Sequence, residues 1–148
     1  MMKYLFRLSS NWQGGVMGRG NVRTENYTTS VSLAKEMEGT GTGTNSEELL
    51  LGASATCYLI SLGYYVEKER LPVVDITMET EGLVVNDAGY RVAQITHRPT
   101  IILENGATRE QVQLAASLSA QAEKICMIAK AMKGNVEMVI EPNITISQ

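Results

Sequence analysis

The sequence has 148 residues, of which 44% are hydrophobic and 20% charged, and its net charge at pH 7 is −3. This length is typical of one domain, and the composition is that of a globular chain, which excludes the disordered and fibrous classes. The slight negative charge gives no long-range positive field that would attract a phosphate backbone, so we do not expect nucleic acid as a partner.

The first third of the chain predicts a small antiparallel sheet followed by a glycine-rich loop. Residues 3–12 and roughly 19–33 contain alternating and β-branched residues interrupted by glycines, a pattern typical of a meander of strands. The start of the chain lacks the apolar run and the cleavage site of a secretory signal, so we expect a cytoplasmic protein. Residues 38–45 alternate glycine with threonine and predict a flexible loop that leads into a helix.

A stretch of eighteen residues without a charge, residues 49–66, is the most prominent feature of the sequence. Its length would allow a membrane span. However, serine, threonine, glycine and two adjacent tyrosines dilute its hydrophobicity, so we predict a helix buried at the centre of a soluble protein, with no membrane partner. One chain of this size could not cover such a helix on every side, which predicts a homodimer.

The next segment predicts a long β-hairpin. Residues 74–79 alternate in polarity, and the turn at residues 86–89 leads into a second strand over residues 90–95. This strand is expected to continue to residue 103, with Pro99 marking an edge position or a bulge.

The last third predicts one helix and a closing strand. Thr108 and Gln111 form a capping-box pattern for a helix that runs up to Cys126. Residues 136–140 alternate again and predict the final strand before Pro142. Together with the earlier elements, this order predicts the α+β class.

The two cysteines, Cys57 and Cys126, lie 69 positions apart, which fits no zinc-ligand spacing. A permanent disulfide is unusual in a reducing compartment, so either both thiols are inert or their oxidation is the function. Because burial in apolar surroundings raises the pKa of a thiol, a reactive Cys57 needs a cation or a hydrogen-bond donor beside it. Cys126 lies at a break between two helical patterns, where the N–H groups of a helix start would lower its pKa.

Acidic residues at the helix start and a single histidine are the other groups that could carry chemistry. Glu47 and Glu48 take part in overlapping capping-box patterns that begin at Thr44 and Asn45, and one carboxylate is enough to cap the helix, so the other is left for a different role. The only histidine, His97, excludes a histidine-rich metal site, and we expect it to have a structural role at the end of a strand.

Two segments resemble the OsmC/Ohr family of thiol-dependent organic hydroperoxide reductases. Residues 44–57, TNSEELLLGASATC, are similar to the family's helix start and nucleophile segment. Residues 122–126, AEKIC, with the later KGNV of residues 133–136, are similar to its second-cysteine segment and last strand. The resemblance covers essentially the full chain. It implies a single OsmC-like domain over residues 1–148, with antiparallel sheets packed around a long buried central helix in an intertwined homodimer.

The family's chemistry implies a role for each cysteine. Cys57 matches the peroxidatic thiol, which reduces an organic (alkyl or lipid) hydroperoxide and becomes a sulfenic acid, and Cys126 matches the resolving thiol that forms a disulfide with it. Glu47 matches the acid that holds a catalytic arginine. The implied reductant is a dithiol such as a lipoylated protein, and no metal or organic cofactor is implied.

The family's arginine comes from the N-terminal strands, and we predict that Arg19 fills this role, with Arg23 as the alternative and Lys35 as a poorer one. Two departures concern proline, which the family often has where this chain has Ser46 and Met127. They motivate an alternative function as a redox sensor of the same fold without efficient peroxidase turnover. A further alternative is a small-ligand binding protein that uses an apolar cavity of the dimer, with both thiols inert.

Overall fold

Seven strands and three α-helices make up the regular structure of the computed structural model, which describes residues 1–148. The strands are β1 (Ser9–Gln13), β2 (Arg19–Arg23), β3 (Thr28–Val31), β4 (Val73–Asn86), β5 (Tyr90–Leu103), β6 (Glu137–Ile140) and β7 (Asn143–Ile146). The helices are α1 (Ser46–Lys68), α2 (Arg109–Ile125) and α3 (Met127–Met132), and a short 3-10 helix covers Lys35–Met37. This order confirms the α+β class. The elements fall into two compact units, Met1–Leu50 and Leu51–Gln148, so the single-domain prediction stays a prediction.

The Met1–Leu50 unit contains the predicted meander, with β1, β2 and β3 paired antiparallel in that order. Gly20 of β2 lies so close to β1 that a Cβ atom there would be 2.0 Å from the carbonyl oxygen of Asn11, which only glycine allows. The loop that follows depends on Gly41 and Gly43, whose φ angles of 62° and 84° lie in the left-handed region. The chain then enters α1, as the sequence predicts.

In the Leu51–Gln148 unit, the hairpin of β4 and β5 is extended by two strands that pair in parallel with β5. β6 pairs with Gln94–His97 of β5, and β7 pairs with Thr100–Leu103. The antiparallel hairpin was expected, but the parallel pairing and β7 itself were not.

Pro99 was expected at a sheet edge or a bulge, and this expectation was wrong. It pairs with Met78 in unbroken register within β5, which has neighbours on both sides. The residue is tolerated because it lies in the gap between the β6 and β7 ladders, where no strand requires the N–H that proline lacks.

Helix α1 packs against β5 and α2 through one stripe of buried side chains, Ser54, Tyr58, Ser61 and Leu62. Tyr58 and Leu62 join a core cluster with residues of β5 and α2, namely Ile101, Leu103, Ala115, Leu118 and Ala122. Outside this stripe, Ile60 and Tyr64 are 68% and 53% exposed in the single chain. The dimer that would cover them stays a prediction.

The same helix, Ser46–Lys68, is long and apolar enough to cross a membrane by length and composition alone. One such helix is weak evidence for a span, because the core helix of a soluble protein passes the same test.

A buried polar group lies at the contact between α1 and the sheet. His97 of β5 is 1% exposed, and its Nε2 is 3.0 Å from Oγ of Ser54 while its Nδ1 is 2.8 Å from Oγ1 of Thr80, its cross-strand partner. The Tyr58 ring stacks on the imidazole, with 5.1 Å between the ring centroids. The predicted structural role of His97 therefore has a concrete form, since it joins α1 to both long strands.

Burial lowers the pKa of His97 below its ordinary value of 6.5, so the folded protein holds this imidazole neutral. Above pH 6.5 it is neutral in both states, and its contribution to stability is complete. As the pH falls below 6.5, the unfolded chain binds a proton that the folded chain does not. We predict that the free energy of unfolding falls by up to about 1.4 kcal/mol per pH unit until the folded-state pKa is passed.

Urea unfolding at pH values on both sides of 6.5 measures this slope. His97→Gln is the control, because glutamine cannot titrate and the variant should lack the His97 part of the slope. Parallel curves for the two proteins would contradict the prediction.

Candidate active site

Cys57 lies at the start of the fourth turn of α1, at the edge of the stripe that packs against the rest of the Leu51–Gln148 unit. Ser54 and Ser61 belong to that stripe, and the helical period places Cys57 between them, near the same face. The Ser61 hydroxyl donates a hydrogen bond to the carbonyl oxygen of Cys57 at 2.8 Å. Cys57 is partly exposed in the single chain.

Cys126 occupies the junction between α2 and α3 and belongs to the caps of both helices. Its N–H donates to the carbonyl oxygens of Ala122 and Glu123, which ends α2. Its Sγ accepts the N–H of Ala129 at 3.4 Å, which caps the start of α3. Only 2% of the residue is exposed. The predicted helix break at Cys126 is confirmed.

The Cys57 thiol faces this junction, and its acidity depends on the groups that it meets there. Burial by itself raises the pKa of Cys57, but hydrogen bonds prevail and leave the pKa below its ordinary value of 9.0. In decreasing order of effect, the groups are the N–H of Ile128, the Cys126 thiol, the N–H of Met127 and the Ser61 hydroxyl. The two N–H groups and the Cys126 thiol stabilise the thiolate by donating hydrogen bonds to it.

Cys126 behaves in the opposite way. Burial is the largest influence and raises the pKa of Cys126 above 9.0; the N–H of Ala129 offsets part of this, and the nearby Cys57 sulfur adds to it. The expectation that the helix start would make Cys126 acidic was therefore wrong. The first N–H groups of α3 stabilise a thiolate, but at Cys57, because Cys126 is too deeply buried to hold the charge.

Met127 stands where the resemblance led us to expect proline, and the junction forms without it. Cys126 adopts φ −62° and ψ 116°, and α3 begins at the next residue. The Met127 N–H is one of the donors to Cys57, and a proline would have none. The departure therefore adds a donor to the Cys57 environment.

The start of α1 separates the roles of the two adjacent glutamates. Asn45 caps the helix, since its Oδ1 accepts the N–H of Glu48 at 2.8 Å, and the Glu48 carboxylate in turn accepts the hydroxyl of Thr44. The Glu47 carboxylate makes a single hydrogen bond, from the hydroxyl of Ser46 at 2.9 Å. Glu48 therefore belongs to the helix cap, whereas the Glu47 carboxylate is not used in capping.

The candidate arginines belong to the Met1–Leu50 unit. Arg19 and Arg23 lie at alternate positions on one face of β2; both are exposed, and neither takes part in an ion pair. Arg19 lines a polar cavity of about 380 Å³, whereas Lys35 lies in the exposed 3-10 helix. The choice among the three, and the predicted action of Arg19 and Glu47 on Cys57, stay predictions. No group of three or more His, Cys, Asp or Glu side chains is arranged to hold a metal ion.

Comparison with known proteins gives matches over most of the chain. A protein-family model described as "OsmC-like protein" matches residues 39–141. The chain is 41% identical over 147 residues to the uncharacterised protein YmaD of Bacillus subtilis, a match that covers 99% of this chain and 98% of that protein.

Solved structures show the same fold at low sequence identity. An organic hydroperoxide resistance protein OsmC from Legionella pneumophila matches with a TM-score of 0.75 and 20% identity, over 95% of this chain and 99% of that chain. The organic hydroperoxide resistance protein OhrB of Bacillus subtilis matches with a TM-score of 0.70 and 22% identity, over 94% and 99%. An OsmC-like protein of unknown function from Vibrio cholerae has a TM-score of 0.79 at 16% identity, over 95% and 99%.

The contacts between the two thiols predict reciprocal effects of removing either one. Cys126→Ala should raise the pKa of Cys57, because it removes a thiol that donates to the Cys57 thiolate. Cys57→Ala should lower the pKa of Cys126, because it removes a sulfur that raises it. The pH dependence of iodoacetamide alkylation and of ultraviolet thiolate absorbance measures both. In the wild type Cys57 should react first; equal rates, or no change in the single variants, would contradict the prediction.

Proposed function

Because the chain belongs to the OsmC-like protein family, we propose that it is a thiol-dependent peroxidase that reduces organic hydroperoxides. One observation carries the proposal: a partly exposed thiol with a lowered pKa faces a second thiol that is buried and has a raised pKa. A peroxidatic and a resolving cysteine need different pKa values, since the first must attack the peroxide as a thiolate and the second must react only after the first is oxidised.

The first step is attack of the Cys57 thiolate on the terminal oxygen of the hydroperoxide. The sulfur–oxygen bond forms as the oxygen–oxygen bond breaks, and the alkoxide leaves and takes up a proton to become the alcohol. The peroxide gains two electrons, and Cys57 becomes a sulfenic acid. The N–H groups of Met127 and Ile128 stabilise the thiolate before attack.

The second step is condensation of the sulfenic acid with Cys126. The Cys126 sulfur, after losing its proton, attacks the Cys57 sulfur; a disulfide forms and water leaves. The two thiols act on each other's pKa at the α2–α3 junction, which supports this pairing. A dithiol then restores both thiols and is itself oxidised to a disulfide. We propose a lipoylated protein of the cytoplasm as this dithiol.

Side chains near Cys57 favour a substrate with a hydrocarbon part over hydrogen peroxide. Ile60 and Tyr64 lie three and seven residues after Cys57, and the helical period places both on its side of α1, where they are exposed. Apolar side chains beside the thiol suit an alkyl or lipid tail. Some solved proteins with this fold are named for resistance to organic hydroperoxides, which agrees with this substrate class.

Arg19 and Glu47 complete the proposed site. A guanidinium beside the thiolate would hold it ionised and stabilise the departing alkoxide, and a carboxylate would fix the guanidinium by a charge-assisted hydrogen bond. Glu47 is available for this because the helix cap uses Glu48 instead. An intertwined homodimer is also part of the proposal; it would enclose the outer face of α1, so that Ile60 and Tyr64 line an apolar cavity beside Cys57 instead of facing solvent.

We predict that the purified protein consumes cumene hydroperoxide with dihydrolipoamide as reductant, at a higher kcat/KM than hydrogen peroxide. Cys57→Ser should abolish turnover, because serine provides no thiolate. Cys126→Ser should react once and then accumulate sulfenic acid. Mass spectrometry after one equivalent of peroxide should show the Cys57–Cys126 disulfide in the wild type only. Unaltered thiols in the wild type would overturn the peroxidase proposal. A disulfide that forms without steady-state turnover would instead indicate a redox sensor.

Neighbouring residues of the same type provide matched controls for the charged pair. Arg19→Gln should lower kcat/KM by roughly 100-fold, the usual cost of removing a donor that stabilises a leaving oxyanion, whereas Arg23→Gln should have little effect. Glu47→Gln should likewise impair turnover more than Glu48→Gln. If Arg23→Gln proves to be the damaging substitution, the arginine assignment is wrong while the thiol chemistry remains.

A further inference from the structure

Two helices carry the two cysteines, and a chain of buried polar contacts fixes one helix against the other. The first link is His97, which contacts Ser54 on α1 through Nε2 and Thr80 on β4 through Nδ1. Both ring nitrogens have a partner, and the ring plane is held by the stack with Tyr58 at an interplanar angle of 27°. The imidazole is therefore fixed in position and in rotation.

The second link is Tyr58, the residue that follows Cys57. Its ring lies on His97, and its hydroxyl donates to the carbonyl oxygen of Ser119 at 2.9 Å. Ser119 belongs to α2 and precedes Cys126 by seven residues, about two helical turns. Tyr58 and Ser119 are both fully buried, so no water competes for this bond. The path thus runs from the sheet, through the residue beside Cys57, to the helix that ends at Cys126.

We propose that His97 is a positioning residue for the Cys57–Cys126 pair: by holding Ser54 and Tyr58, it sets where α1 presents the Cys57 sulfur to the start of α3. This role rests on the proposed thiol chemistry, but it concerns the geometry of the reduced protein and can be tested without a peroxide.

Packing alone does not account for a histidine at this position. The imidazole and the Ser54 hydroxyl are buried and lose hydration, whereas an apolar side chain of similar size would fill the space without that cost. Hydrogen bonds are directional, so a fully satisfied polar group restricts α1 to one axial position and one rotation, which apolar contacts do less well. No buried side-chain nitrogen or oxygen atom lacks a partner, so the network is complete.

Small displacements of α1 are enough to matter at the sulfur. A helix rises about 1.5 Å per residue, so a slip of less than one residue changes the distance from the Cys57 sulfur to the Met127 and Ile128 N–H groups by a large part of a hydrogen-bond length. The acidity of Cys57 depends on these two donors and on the Cys126 thiol. A residue that fixes α1 therefore acts on Cys57 without touching it.

The test compares two substitutions that each keep a different part of the His97 contacts. His97→Phe keeps an aromatic ring against Tyr58 but removes both hydrogen bonds, whereas His97→Gln keeps an amide that can reach Ser54 but removes the ring. We expect that His97→Phe raises the pKa of Cys57 and slows its alkylation near neutral pH by roughly tenfold. We expect that His97→Gln restores most of the wild-type rate. Ser54→Ala, which removes the partner on the helix, should resemble His97→Phe.

Ile95→Ala is the control for general destabilisation. Ile95 is fully buried on β5, two residues from His97, and contacts neither Ser54 nor Tyr58 by a hydrogen bond. This variant should lose stability in urea unfolding but keep the wild-type Cys57 alkylation profile. If His97→Phe does not fold, Ser54→Ala carries the same comparison.

Wild-type alkylation profiles in both His97→Phe and Ser54→Ala would overturn the proposal. An equal decrease in the rate of Cys57 alkylation in Ile95→Ala would also overturn it. Failure of the peroxidase proposal gives a different result. The wild type would then consume no peroxide, while the alkylation of Cys57 would still depend on His97.

Discussion

The first N–H groups of α3 act on both cysteine sulfurs, and together with burial they determine the pKa of each thiol. Ala129 donates to the Cys126 sulfur, Met127 acts on Cys57, and the Ile128 N–H lowers the pKa of both thiols. Because Cys126 is enclosed, its share of this stabilisation does not offset the cost of burying a charge, and its pKa rises. Cys57 has more contact with solvent and receives more donors, so the acidic thiol is the accessible one.

The two faces of α1 contribute in different ways to this division. The inner face carries Ser54, Tyr58 and Ser61, whose hydroxyl groups bind groups on β5, on α2 and within the helix itself. The outer face carries Ile60 and Tyr64, which are exposed in the single chain. Cys57 lies at the boundary, so one helix combines a fixed polar anchor with an apolar approach to its thiol.

Local signals in the sequence were sufficient to predict most of the helices and strands. The capping box at Thr108 formed as predicted, with Gln111 as its partner, because both residues lie within one turn and need no tertiary contact. The hairpin and the break at Cys126 were predictable for the same reason. β7 was not, because it has only four residues and its parallel partner lies about forty positions earlier in the chain.

The site was predictable in its residues but not in its electrostatics. The motifs around Cys57 and Cys126 named the two thiols, yet their order of acidity depends on burial and on contacts between elements far apart in sequence. His97 was expected at the end of a strand but lies within β5, and nothing near it in sequence indicates Ser54 or Thr80 as its partners. Only the pairing of β4 with β5 and the packing of α1 bring these three side chains together.

The enclosure of Cys126 has a consequence for the return half of a catalytic cycle. In a disulfide formed at this junction, an incoming thiolate could approach the Cys57 sulfur, since only 2% of Cys126 is exposed. Attack there would expel the Cys126 thiolate, and a thiolate of raised pKa is the slower leaving group. Small monothiols would then regenerate the protein sluggishly. A dithiol would be favoured, because its second sulfur can attack the mixed disulfide before the Cys126 thiolate does so and re-forms the protein disulfide.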